Sequence, residues 1–138
     1  MIKKMIYTFM IITLLSILVA CSSQKSTPQP MHIHPHLDII ILGEKQAIPG
    51  EIGLTPNNHN VIHTHDPDGI LHVESPITRT FYLKEFFVLW DKKFDDRCIF
   101  DYCANNEHEL KVYVNGKEDA RFGDIVLEDD QNISIVYQ

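Results

Sequence analysis

One helical stripe in a chain otherwise made of short apolar runs constrains the fold most strongly. Apolar side chains recur at the spacing of one face of an α-helix at Leu83, Phe86, Phe87 and Trp90. The other apolar runs are short, rich in β-branched residues and bounded by turn residues, which is typical of strands. We therefore predict an α+β fold with a small mixed β-sheet and one main helix.

Length and charge narrow the classes of function. The chain has 138 residues and a net charge of −7, which bounds it to one modest domain plus its termini. Neither a barrel of eight strands and eight helices nor a two-domain enzyme fits that length. The acidic balance argues against nucleic acid as a partner, because binding to nucleic acid needs a basic patch.

The N-terminal residues have the pattern of an export signal. Two lysines precede an apolar stretch from Met5 to Val19, which is short for a membrane span, and a small residue precedes Cys21. The segment Leu18-Val19-Ala20-Cys21 resembles the lipobox of bacterial lipoproteins. That resemblance implies cleavage before Cys21 and acylation of its thiol, so the protein would be anchored in the lipid bilayer on its extracytoplasmic side. An uncleaved signal anchor is the alternative.

The domain boundaries follow from this pattern. We predict a lipoprotein signal peptide over residues 1–20, a lipidated flexible tether over residues 21–30, and a single histidine-rich α+β domain over residues 31–138. Loss of residues 1–20 would remove two lysines and no acidic residue, which takes the net charge from −7 to −9. The lipid, not an attraction to anionic headgroups, would then hold the protein on the membrane.

Two cysteines remain once Cys21 is acylated, and these are Cys98 and Cys103. Outside the cytoplasm, an even pair this close in sequence favours a disulfide. A thiolate pair that binds a metal is one alternative, although structural zinc sites use tighter spacing and usually supply two such pairs. Two free thiols are the other.

The order of a strand hairpin, a helix and further strands resembles the β-grasp, or ubiquitin-like, arrangement. Residues 112–117, 125–130 and 133–136 are similar to the last hairpin of β-grasp sulfur carriers and of vitamin-binder-like extracellular domains. The resemblance implies a β-grasp-like fold with an inserted histidine-rich hairpin, and a fold alone implies no function. Sulfur carriers end in a glycine pair, whereas this chain ends in Tyr137-Gln138, so carrier activity is not expected.

Histidine is the unusual residue of this chain, because seven of the eight lie between His32 and His72. Residues 32–36 hold three histidines at a spacing of two, and an extended backbone would place all three on one side. His63 and His65 repeat that spacing, and the turn after them would bring one of the two opposite His72. Neutral imidazole is the commonest protein ligand of Zn²⁺ and Cu²⁺.

We therefore predict a transition-metal site for Zn²⁺ or Cu²⁺. Its core ligands are predicted to be His63, His65 and His72, and its further candidates are His34, His36, Asp66 and Glu74. The two carboxylates would either bind the ion or orient the imidazoles. Two other interpretations stay open: His32 and His34 would form a loose scavenging tract beside the tether, or the histidines are ordinary half-exposed residues.

The segment from His63 to Ser75 is similar to a signature of uncharacterised secreted or membrane-anchored prokaryotic proteins. In those proteins it follows a histidine-rich hairpin and precedes an aromatic helix, as it does here. The resemblance extends over most of residues 32–137 and implies no particular activity.

Three functions are compatible with these patterns. The favoured one is an envelope lipoprotein that captures or buffers a transition metal. A non-enzymatic module that docks another envelope protein through a strand edge or an aromatic patch is the alternative. A small metal-dependent hydrolase with Glu74 or Asp66 as general base is the third, but the sequence has no nucleophile elbow and no His-Glu-x-x-His motif. The balance favours a role without catalysis.

Overall fold

A computed structural model describes residues 29–138. The predicted signal peptide, Cys21 and most of the predicted tether lie outside these residues, so lipidation and the domain boundaries remain predictions. The described part of the chain forms twelve short strands, one α-helix and one 3₁₀ turn, which confirms the α+β fold. No helix within residues 29–138 is long and apolar enough to cross a membrane.

The larger sheet has five strands in the order β11-β10-β12-β2-β3. Its two longest strands, β2 (His36–Ile41) and β12 (Asn132–Tyr137), run parallel and pair over their whole length, while the other neighbours are antiparallel. Its remaining strands are β3 (Glu44–Gln46), β10 (Leu110–Val114) and β11 (Lys117–Glu118). A first hairpin, a helix and a last strand that returns parallel to the first is the β-grasp arrangement predicted from the sequence.

The helix α1 spans Leu83–Leu89 and buries Leu83, Phe86 and Phe87, as the stripe predicts. It begins after Tyr82, whose backbone N–H donates to the Glu85 carboxylate at 2.9 Å. The same carboxylate forms an ion pair with the Arg79 guanidinium at 2.9 Å. Glu85 therefore satisfies a free N–H at the start of the helix and also binds a charged side chain. The buried face of α1 lies in one continuous core with the inward side chains of β2, β10 and β12.

A smaller antiparallel sheet of three strands lies beside this core. Its order is β1-β7-β6, so β7 (His72–Ser75) is the central strand between β1 (Met31–Ile33) and β6 (Ile62–His63). The pairing of β6 with β7 is the histidine-rich hairpin expected from the sequence. The short pair β4 (Leu54–Thr55) and β5 (Asn58–His59) precedes this hairpin in the chain.

The last pair of strands, β8 (Cys98–Ile99) and β9 (Tyr102–Cys103), forms a hairpin between α1 and β10. Cys98 and Cys103 are directly paired across it and are joined in a disulfide. This is the pairing that the sequence favours over a thiolate metal site. The disulfide ties the excursion after α1 into a fixed hairpin.

Candidate metal centre

The central strand of the small sheet places one histidine between two others. His72 pairs directly with His63 of β6, and two residues further along β7 Glu74 pairs with His32 of β1. Directly paired residues of antiparallel strands project from the same face, as do residues two apart on one strand. One face of the sheet therefore carries His32, His63, His72 and Glu74, and the His34 ring reaches the same face, 4.8 Å from the ring of His72.

Two groups of side chains on this face could hold a metal ion, because the ligand atoms in each lie within 4.8 Å of one another. The inner cluster consists of His63, His65, His72 and Glu74. The outer cluster consists of His32, His34 and His72. His72 belongs to both.

His63 is the buried member of the inner cluster, with only 1% of its surface exposed. Its Nδ1 lies 2.9 Å from the carbonyl oxygen of Asn60. Since a carbonyl oxygen only accepts, Nδ1 carries the proton of the neutral ring and donates it to Asn60. Nε2 of His63 is therefore the acceptor nitrogen, and in the metal-free chain it accepts a hydrogen bond from Nε2 of His65 at 3.2 Å. A cation would take the place of that proton, and protein metal sites usually fix the tautomer of a ligating histidine by a hydrogen bond such as the one to Asn60.

The Nε2 atoms of His65 and His63 are already almost as close as two nitrogens bound to the same zinc ion. Nε2 of His65 lies 3.2 Å from Nε2 of His63, and the two rings are nearly perpendicular. Two nitrogens bound to one Zn²⁺ at about 2.0–2.1 Å in a tetrahedron are roughly 3.3–3.4 Å apart. An ion would need only a small adjustment of these two rings, and the His72 ring, 4.5 Å from that of His65, supplies the third imidazole.

Thr64 fixes the backbone between the two ligands. Its side chain is fully buried, and its hydroxyl donates to the carbonyl of Pro49 at 2.9 Å and accepts from the N–H of Ile52 at 3.0 Å. The Thr64 backbone also exchanges hydrogen bonds with Glu51 and Ile52. A buried hydroxyl with both partners satisfied resists displacement, so the segment 49–52 holds the His63–His65 pair in place. Thr64 was not predicted as part of the site, although its position between the two histidines of a His-x-His pair is visible in the sequence.

Gly50 contributes to the same support by close approach. A Cβ added at Gly50 would lie 2.5 Å from the carbonyl oxygen of His65, closer than real Cβ contacts. Only glycine lets this loop pack directly on the backbone of a ligand residue.

Burial and neighbouring imidazoles favour the neutral forms of two ligands. Burial lowers the pKa of His63 below its ordinary value, an effect only partly opposed by the Asn60 hydrogen bond and the Glu74 charge. Burial also lowers the pKa of His72, and the nearby rings of His65, His34 and His63 lower it further. A histidine must be neutral to bind a metal, so both rings are in the form that binds at neutral pH.

The outer cluster has no buried member, whereas the inner cluster contains the buried His63 beside the exposed His65 and Glu74. The His32 side chain is 58% exposed and its Nε2 lies 3.2 Å from the Glu74 carboxylate. The ring of His34 lies between those of His32 and His72, with centroid distances of 4.5 and 4.8 Å. The Asp129 carboxylate accepts the backbone N–H of His34 at 2.8 Å, which holds the end of β1 in position. His32 was not among the predicted ligands, because it borders the tether and was interpreted together with His34 as a loose scavenging tract.

Two predicted ligands, His36 and Asp66, and one further histidine, His59, stand apart from both clusters. His36 begins β2 in the larger sheet, where its Nε2 donates to the carbonyl of Asp68 at 3.1 Å. Asp66 is exposed in the turn after His65. His59, which the sequence analysis did not choose, has its ring 6.1 Å from that of His63. Among residues 29–138, neither metal-compatible group contains any of these three.

The chain changes sheets at Pro35, and this explains the position of His36. β1 ends at Ile33 and pairs with β7, whereas β2 starts at His36 and pairs with β12. Proline has no N–H to donate to a ladder, and the sheet changes across it. The run of three histidines is thus split, with His32 in the small sheet, His34 just after its strand β1, and His36 in the large sheet.

The geometry of the two clusters is the observation from which a function can be argued. The clusters offer imidazole nitrogens and one carboxylate, a donor set that suits Zn²⁺ and Cu²⁺. No protein-family model, no curated protein and no solved structure matches this chain.

Proposed function

We propose that the inner cluster binds one Zn²⁺ or Cu²⁺ ion, and that the chain is a lipid-anchored envelope protein that captures or buffers that ion. One observation carries the metal proposal. Two Nε2 atoms from His63 and His65 face each other at 3.2 Å, and the other nitrogen of His63 is committed to Asn60. Neutral imidazoles held this way are prepared to bind a cation rather than to pack a core.

The donor set supports the choice of metals. Three imidazoles and a carboxylate suit Zn²⁺ and Cu²⁺, whereas Cu⁺ prefers thiolate and thioether ligands. The two cysteines of the described residues are joined in a disulfide in a different hairpin. The acidic net charge of −7 also favours the accumulation of cations near the surface.

The first experiment measures bound metal in the full chain, purified with detergent present. The protein is titrated with Zn²⁺ or Cu²⁺, dialysed, and analysed by elemental mass spectrometry. We expect about one ion per chain, and loss of that ion when His63, His65 and His72 are all replaced by alanine. His108→Ala is the matched control, because the His108 ring stacks on Tyr137, away from both clusters.

Two results would refute the metal proposal. One is no retained metal in the wild-type protein, and the other is equal retention in the wild-type protein and the triple variant. Circular dichroism of each variant shows whether loss of metal reflects loss of the ligands or loss of the fold.

The anchoring proposal rests on the lipobox-like segment and needs its own test. Cells that express the chain are grown with radiolabelled palmitate, and the labelled protein is compared with the Cys21→Ser variant. We expect label in the wild-type protein only, and loss of the variant from the membrane fraction. Equal membrane recovery without label would favour an uncleaved signal anchor.

A further inference from the structure

The two metal-compatible groups meet at one residue. His72, on the central strand, belongs to both the inner and the outer cluster, with its ring 4.8 Å from His34 on one side and 4.5 Å from His65 on the other. The clusters also touch at a second point, since Glu74 of the inner cluster lies 3.2 Å from His32 of the outer one.

The imidazoles therefore form an unbroken row across the small sheet. Successive ring centroids from His32 through His34, His72 and His65 to His63 are 4.5 to 4.8 Å apart. The two ends of this row differ in exposure, because the His32 side chain is 58% exposed and His63 is 1% exposed, whereas His65 next to His63 is itself exposed. The row joins an exposed histidine of the outer cluster to the buried ligand that the Asn60 hydrogen bond orients.

We propose that the outer cluster is the capture site for the inner one, and that the metal ion passes inward by ligand exchange on His72. This inference rests on the proposed metal binding and adds a route to it. His32 and His34 bind the ion first, with His72 as the third ligand. His63 and His65 then replace His32 and His34 while His72 stays bound.

The exchange conserves charge and ligands at each step. The ion keeps at least one imidazole throughout, and Zn²⁺ tolerates a fifth ligand while one donor replaces another. A neutral His72 ring has a single lone pair, so it binds one ion at a time. Two ions at once would require His72 to bridge them as an imidazolate, and two dications this close repel each other.

Two carboxylates beside His32 and His34 favour the outer cluster as the point of capture. The Asp129 carboxylate lies 3.7 Å from Nδ1 of His34, and the Glu74 carboxylate lies 3.2 Å from Nε2 of His32. Both carboxylates are about half exposed, so they face the solvent from which a hydrated cation arrives. Negative charge at an opening raises the local concentration of cations and their rate of association.

The test separates the rate of loading from the affinity at equilibrium. Full-length protein in detergent is mixed with Zn²⁺ bound to a chromophoric chelator, and transfer is followed by stopped-flow absorbance. We expect the double variant His32→Ala, His34→Ala to load at least tenfold more slowly than the wild-type protein. Its equilibrium affinity should stay within threefold of the wild-type value, with one ion per chain.

His59→Ala is the matched control, because His59 is an exposed imidazole next to His63 but belongs to neither cluster. We expect wild-type kinetics from it. Co²⁺ in place of Zn²⁺ adds a second readout, since its visible absorption reports the ligands on the resting ion. That spectrum should be the same in the wild-type protein and the double variant at saturation.

Three results would overturn the inference while leaving the proposed function intact. They are unchanged loading in the double variant, a loss of affinity that parallels the loss of rate, and two ions per chain in the wild-type protein. The second would make His32 and His34 permanent ligands. If the wild-type protein binds no metal, the proposed function fails and the route fails with it.

Discussion

Zinc should stabilise the folded chain through ligands that only the folded state brings together. The three imidazoles of the inner cluster come from β6, the turn after it and β7. An ion that binds only the folded state at 100 times its Kd adds about 2.7 kcal/mol to the free energy of unfolding. The 110 described residues have an unfolding entropy of about 230 cal/mol/K near 60 °C. The expected rise in Tm is therefore about 12 °C, an upper value because histidines of the unfolded chain also bind zinc.

His63→Gln is the perturbation that tests this reasoning. Glutamine keeps a side-chain donor for the Asn60 carbonyl but removes the ligand Nε2. If the loss weakens zinc binding about 100-fold, as large as the loss of an outer hydrogen-bond partner can be, the same zinc concentration only equals the new Kd. The stabilisation then falls to about 0.4 kcal/mol, or roughly 2 °C in Tm.

Differential scanning calorimetry at pH 7.5 measures the shift for each variant with zinc and with chelator. The comparison within one variant cancels any effect of the substitution on the metal-free fold. His59→Gln is the control and should keep the full shift. An equal shift in His63→Gln and the wild-type protein would refute the assignment of His63 as a ligand, and no shift in either would refute the site.

Three further predictions test the surroundings of the site and the fold. Gly50→Ala should weaken zinc binding about tenfold, because its Cβ would meet the His65 carbonyl oxygen at 2.5 Å; competition with a chromophoric chelator measures this, and an unchanged Kd would contradict it. Glu85→Gln should lower the free energy of unfolding by about 1 kcal/mol at pH 7. Hydrogen bonds from Arg79 and from the Tyr82 backbone hold the pKa of Glu85 below its ordinary value. The difference in free energy of unfolding between the wild-type protein and Glu85→Gln should therefore shrink as the pH falls below 4.5 through that lowered pKa. Urea unfolding at a series of pH values measures this difference, and a difference that stays constant in acid would be inconsistent with the prediction. Replacing Cys98 and Cys103 by serine should cost about 2 kcal/mol for so short a loop yet leave one zinc per chain, and loss of the metal on this change would show that the hairpin supports the site.

Much of the fold was predictable because its signals are local. The stripe at Leu83, Phe86 and Phe87 specifies the buried face of α1 whatever it packs against. The alternating burial of β2 and β12 follows from the two-residue period of a strand. Asn115-Gly116 marks the turn between β10 and β11, where both residues have positive φ. Short-range patterns of this kind need no knowledge of distant partners.

The chemistry of the site was also in the sequence. Histidines at a spacing of two share a face of an extended strand, and a turn between His65 and His72 folds the chain back on itself. These two facts predict that His63 or His65 lies opposite His72, and the strand register shows that it is His63. The choice of imidazole as the donor, and hence of Zn²⁺ or Cu²⁺, needs only the residue types.

Tertiary structure alone decided which histidines meet. His32 and His34 join His72 because β1 pairs with β7, some forty residues away, and His36 leaves them because the chain crosses to the larger sheet at Pro35. Local periodicity fixes the face on which a side chain lies, but the partner of a strand depends on which pairing buries the most apolar surface across the whole molecule. The sequence by itself therefore determined the ligand types and the hairpin that carries the inner cluster. The pairing of β1 with β7, which the sequence does not reveal, created the outer cluster and placed His72 in both clusters.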